Sequence, residues 1–239
     1  METRLFISII LIIWFAGANA FVDQKGQFEI VSNSQEIFGD ELSSLYNEII
    51  AKDENIALEI QVPENYNSEN PPGIMVYAGS PNFVRPPAGW LSVMKDKNLI
   101  WSASTRSDNA SSIFQKTLLA MASVPLIQKD YNIDKTRIYI TGEGRSASRT
   151  ALDHPELFTG AILMGKRLWE DNAREKIKRS MDNGFVFVTR ERNAFPQGTR
   201  EAYYRFKSAG VDKLQLFFIQ GARRYNRLRF SESIDFLDG

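Results

Sequence analysis

The segment Arg137-Ile138-Tyr139-Ile140-Thr141-Gly142-Glu143-Gly144-Arg145-Ser146-Ala147-Ser148 reads as a buried strand that turns abruptly into a helix. A sharp strand-to-helix turn with small residues around its apex can hold a serine hydroxyl exposed for attack on an acyl carbon. Here the apex is Gly144, with Gly142 and the still-small Ser146 on either side. The spacing of such an elbow is kept, and the hydroxyl at its centre is missing.

Other residues do not rebuild that chemistry. The one histidine, His154, lies eight residues from Ser146 on the same predicted helix. A rise of about 1.5 Å per residue separates the two by roughly 12 Å, too far for direct proton transfer. His154 precedes Pro155 at the far end of that helix and reads as a capping or surface residue. Glu143 and Glu191 could act as an acid/base pair only if their pKa values were driven apart. Their neighbours Arg145, Arg190 and Arg192 would instead hold both ionised. No cysteine, His-x-x-x-His pair or dense carboxylate cluster is present, so neither a metal site nor a cofactor site is predicted.

The elements that would carry these residues follow from periodicity. Apolar runs predict strands at 28–32, 57–62, 74–78, 99–103, 137–141, 161–164, 185–189 and 214–219. Helical spacing predicts helices at 35–51, 111–128, 146–153, 169–181, 199–209 and 230–237. Ile113, Phe114, Leu118, Met121, Ala122 and Leu126 form the apolar pattern of the longest. Short apolar runs alternating with helices predict an α/β fold: a doubly wound, mostly parallel sheet with helices on both faces. Of the aromatic residues, Tyr77, Phe83, Trp90, Trp101 and Trp169 could line a recognition surface. Trp101 falls within a strand and is expected in the core, whereas Trp90 follows a Pro- and Gly-rich loop and is expected at the surface.

The chain resembles the α/β-hydrolase superfamily, and within it the secreted esterase and polyhydroxyalkanoate-depolymerase-like branch. The resemblance rests on Val62-Pro63-Glu64-Asn65-Tyr66, on residues 131–142 leading into the elbow, and on Pro155-Glu156-Leu157-Phe158-Thr159-Gly160-Ala161. It implies a serine at the elbow, an acid after a later strand and a histidine after the last strand. Carried over residue by residue, those positions are Gly144, Asn193 and Arg224. An amide cannot support an imidazolium as a carboxylate does, and a guanidinium is no general base near neutral pH. The resemblance therefore implies a degenerate catalytic triad.

Ligands of open α/β sheets bind beyond the carboxyl ends of the strands. Those stretches are rich in arginine: Arg106, Arg145, Arg190, Arg192, Arg223 and Arg224, with Arg227 and Arg229 shortly after. Two roles are open to them. They can form a cleft for a small anion, gripping carboxylate or phosphate in bidentate forks. They can also pair internally with Glu143, Asp108, Glu191 and Glu232 and fill the former site.

The chain has 239 residues, 43% of them hydrophobic, enough for one sizeable core. Residues 1–20 combine Arg4, an apolar run from Leu5 to Phe15 and Ala18-Asn19-Ala20, the pattern of a cleavable signal. The run is well short of the about 20 apolar residues that cross a bilayer. We therefore expect a single domain over 21–239, secreted or periplasmic, with no stable membrane span after cleavage. With 29 basic and 29 acidic residues, no overall field favours nucleic acid. The expectation is an exported, non-catalytic hydrolase homologue that binds a small anionic ligand or an envelope protein partner. Two alternatives stand beside it: an active serine esterase with an unorthodox catalyst, and a structural or interaction subunit of a cell-envelope complex.

Overall fold

The structure is a computed structural model and describes residues 22–47, 49, 55–79, 84–107, 110–165, 174–190, 196–219 and 226–239. Its elements in chain order are β1 (Gly26–Ser32), α1 (Ser34–Tyr46), β2 (Ile56–Val62), β3 (Gly73–Tyr77), α2 (Trp90–Asp96) and β4 (Leu99–Ser104). After these come α3 (Ile113–Asp130), β5 (Ile138–Glu143), α4 (Arg145–Asp153), β6 (Gly160–Met164) and α5 (Arg174–Arg179), then β7 (Gly184–Arg190), α6 (Pro196–Ser208), β8 (Leu214–Ile219) and α7 (Arg227–Asp238). The eight strands form one sheet in the order β1-β2-β4-β3-β5-β6-β7-β8. β1 and β2 are antiparallel to their neighbours, and every pairing from β4 to β8 is parallel.

Every residue of β3 and β4 is buried, as strands covered on both faces require. On one face, Leu118, Leu119, Ala122, Ile127, Ala147, Ala151 and Phe206 bring α3, α4 and α6 against Ile74, Val76, Ile140 and Leu163. On the other, Trp90, Val93, Phe230 and Ile234 bring α2 and α7 against Met75, Trp101, Tyr139 and Val186. This is the expected doubly wound architecture.

Trp90 is buried rather than at the surface. It opens α2, a helix that the periodicity does not predict, stacks on Phe230 at 3.9 Å between centroids, and meets Trp101 edge-on at 6.0 Å. Trp101 is in the core as expected, its indole N–H donating to the Val84 carbonyl at 2.9 Å. Phe114 points to solvent, and the Arg149 guanidinium lies 4.4 Å over its ring. Helix α1 ends at Tyr46, and Gly39 interrupts it with φ 73° and ψ 173°. Phe83 and Trp169 lie outside the described residues.

The amino edge of the sheet is locked by charge. Arg137 grips Asp238 with two bonds of 2.8 and 2.9 Å and donates to the Lys97 carbonyl at 2.8 Å. The Tyr139 hydroxyl donates to the same carboxylate at 2.7 Å, and Lys213 Nζ donates to the Leu237 carbonyl at 2.6 Å. These contacts pin the end of α7 beneath β5 and β8. The start of that helix is thereby held near the opposite, carboxyl edge, where Arg229 lies 5.0 Å over the Phe217 ring.

Candidate functional site

β5 runs to Glu143, α4 starts at Arg145, and Gly144 alone makes the turn between them. Its backbone has φ 78° and ψ −150°, a conformation that side-chain-bearing residues rarely adopt. A Cβ placed on Gly144 would meet no atom within 4 Å, so the apex opens into free space. At Gly142 a Cβ would fall 2.3 Å from the Ala78 carbonyl oxygen, so this position accepts only glycine. The two glycines do different things: Gly142 lets β3 and the elbow pass closely, and Gly144 supplies a strained turn with an empty apex.

The elbow is held by short hydrogen bonds. Gly144 N–H donates to the Met164 carbonyl at 2.8 Å, tying the apex to the end of β6. Ala78 N–H donates to the Thr141 carbonyl at 2.8 Å, and the Thr141 hydroxyl donates to the Ile162 carbonyl at 3.0 Å. Gly165, at φ 111°, crosses behind the apex; its carbonyl accepts from the Thr199 hydroxyl at 2.7 Å, which anchors the first turns of α6. On the other side the Ser107 hydroxyl donates to the Gly79 carbonyl at 2.9 Å, joining the loops after β3 and β4. α4 begins directly after the apex without a side-chain cap, and a helix start is a favourable environment for negative charge.

Ser146 lies in that first turn, 8% exposed, two residues past the apex. His154 is the residue that ends α4, its N–H donating to the Thr150 carbonyl at 3.0 Å and its Nδ1 lying 3.4 Å from Glu156. Ser146 and His154 therefore sit at opposite ends of one helix. Two buried tyrosines and Arg137, displaced from their ordinary pKa ranges, lie away from the elbow. Burial pushes the Tyr131 hydroxyl up to about 12. Burial, reinforced by Asp238, raises Tyr139 further. For Arg137 burial opposes the charge, and the Asp238 carboxylate outweighs it, so its pKa rises.

Of the expected anion-binding residues, Arg106 and Arg145 are described, and both are exposed at the carboxyl edge. Arg106 follows β4 and its N–H donates to the Ser104 hydroxyl at 3.1 Å; Arg145 is the first residue of α4. One strand, β3, lies between the two strand ends, which sets them roughly 10 Å apart at ordinary strand spacing. Arg190 closes β7, with its side chain outside the described residues. Arg192, Asn193, Arg223 and Arg224 also lie outside them, as do Asp108 and Glu191. The expected partner of Glu232 is found, since Arg229 donates to it at 2.7 Å. Arg227 turns instead to Asp96 on α2, at 3.4 Å. Among the described residues no group of three or more potential ligands could hold a metal ion, and no helix is long and apolar enough to cross a membrane.

No protein-family model and no curated protein sequence matches the chain. Solved structures do. A ferulic acid esterase superposes with a TM-score of 0.63 at 13% identity, covering 90% of this chain and 98% of its own. The enterobactin esterase from Shigella flexneri gives 0.61 at 13% identity, over 91% of this chain and 61% of its own. A thermostable esterase gives 0.55 at 17% identity, over 77% of this chain; the shared part spans 56% of that esterase. At such identities the likeness concerns architecture alone. With its strand order, its flanking helices and its elbow after β5, the chain has the α/β-hydrolase fold.

Proposed function

We propose that this is an exported protein of the α/β-hydrolase fold that binds rather than hydrolyses, with a small anion, carboxylate or phosphate, as its ligand. One observation carries the reading: the elbow keeps its strained backbone and its open apex, yet the residue there is Gly144 and offers no nucleophile. A vacated apex facing a helix start favours negative charge. Arg145 stands beside it, and Arg106 flanks the same edge. Arg190, Arg192, Arg223 and Arg224 are assigned to the same cleft from their places after β7 and β8 in the sequence. Asn193 and Arg224 occupy the positions where a triad would need an acid and a base. Cleavage after Ala20, one domain over 21–239 and a secreted or periplasmic location complete the proposal.

Titration with phosphate, sulfate and a dicarboxylate, followed by calorimetry and by amide shifts at residues 144–147, tests the ligand. Binding is expected, weakened about tenfold in Arg145→Ala, the size of one lost charge-assisted contact. No binding by any of the anions would remove the ligand from the account. The esterase reading draws on the structural neighbours, all three of which are esterases by name. It predicts turnover of short acyl esters that Ser146→Ala abolishes.

A further inference from the structure

The two ends of the sheet differ in how they are guarded. β1 carries Glu29 in its middle and alternates exposed with half-buried residues, the usual protection of an edge. β8 is the opposite edge, and its sequence, Leu214-Gln215-Leu216-Phe217-Phe218-Ile219, holds neither charge nor proline. Among the described residues no strand pairs with its outer side.

The backbone that this edge offers is fixed by its pairing with β7. Phe185 is in register with Leu214, and Phe185 N–H donates to the Lys213 carbonyl at 2.9 Å. In a parallel pair, that bond directs the backbone polar groups of Leu214, Leu216 and Phe218 away from β7; of these, the Leu214 N–H is taken up within the chain, donating to the Asp212 carbonyl at 2.9 Å. The Leu216 carbonyl receives a long contact, 3.4 Å, from the side-chain amide of its own neighbour Gln215. From these observations the geometry points to β8 as a self-pairing edge: a second copy of the chain docks antiparallel to it, about a two-fold axis through Leu216, joining two sheets into one.

The register is the one an isologous contact demands. An axis at Leu216 sets Leu216 opposite itself and Leu214 opposite Phe218 of the second copy, so the N–H and C=O of Leu216, the Phe218 N–H and the Leu214 C=O are satisfied reciprocally. The facing side chains are apolar pairs on the α6 side of the sheet, where Leu214 and Leu216 already pack against the core. Charge is complementary as well. Arg200 of α6 lies 4.8 Å over the Phe218 ring, and the pairing brings exposed Asp212 of the second copy to that end of the strand. Tyr204, one turn beyond Arg200 on the same side of α6, is 59% exposed and extends the apolar surface beside the axis.

The test is sedimentation velocity on the mature full-length chain, with cross-linking. The wild type is expected to be a dimer at micromolar concentration. Leu216→Lys, which sets like charges face to face at the axis, is expected to be a monomer. Arg200→Glu and Asp212→Lys each weaken dimerisation about tenfold, and the double exchange restores it. The chain has no cysteine, so Leu216→Cys supplies a single thiol opposite its own copy, within disulfide reach for a directly facing pair. It should oxidise to a covalent dimer far faster than Leu228→Cys, placed on exposed α7. If Leu216→Lys does not fold, the charge exchange and the cysteine pair decide. A monomeric wild type, a dimer indifferent to all of these changes, or equal cross-linking at 216 and 228 overturns the inference.

Discussion

The carboxyl and amino edges of the sheet are built by opposite means. At the amino edge, a partly exposed ion pair holds the structure: Arg137 and Tyr139 share the Asp238 carboxylate, and the tyrosine and arginine pKa values move away from neutrality. At the carboxyl edge the backbone itself does the holding, through glycine contacts and short main-chain bonds around Gly144, while the charged side chains Arg106 and Arg145 stay exposed. α7 is clamped at its far end by side-chain charge and the elbow by its own main chain, with Arg106 and Arg145 at the surface of the carboxyl edge.

The sharpest way to break the elbow is Gly142→Ala. Its Cβ would sit 2.3 Å from a backbone oxygen that cannot swing aside, so the loss should exceed about 3 kcal/mol, read by urea unfolding. The matching break at the other edge is Asp238→Asn, which leaves the Arg137 guanidinium partly buried without its carboxylate. A loss of about 2 kcal/mol is expected, with the elbow amides unshifted in NMR spectra.

Alkaline pH probes the same distinction. Tyr131 ionises at about 12 in the folded chain against an ordinary 10.0, because burial disfavours the phenolate. A raised folded pKa gives stability that is complete below the unfolded value and is lost as pH climbs through the folded one. Stability should therefore fall from about pH 10 to about pH 12. Tyr131→Phe should flatten its share of that fall while losing the 2.8 Å bond to the Gln24 carbonyl. Thermal melts across that range check it. The smallest effect is at the apex: Gly144→Ser has room for its side chain but inherits a positive φ, at a cost of about 1–2 kcal/mol. No ester turnover is expected with it on the proposed assignment of Asn193 and Arg224 to the other two positions.

Most of this architecture is legible in the sequence, for physical reasons that also mark the exceptions. β8 is legible to the residue, because Leu214 to Ile219 is a largely apolar run between polar neighbours. The elbow is legible because glycines at 142 and 144, directly after an apolar strand, mark a close backbone approach and a turn that a side chain would obstruct. α2 is not, since seven residues behind a Pro-Gly loop give little periodicity; Trp90, Val93 and Met94, at helical spacing, are the available signal. Phe114 fits the apolar pattern of α3 yet is exposed, because periodicity does not tell that Arg149 would cover it. The placement of β4 between β2 and β3 depends on contacts distant in sequence, which no local pattern encodes.

Gly144 leaves the elbow without a nucleophile at its apex. Fluorophosphonate labelling of the protein, followed by peptide mass spectrometry over every serine, is the decisive experiment. No labelled serine and no hydrolysis of short acyl esters are expected. A stoichiometric adduct on Ser146 or on any other serine, lost together with esterase activity when that serine is changed to alanine, would overturn this reading.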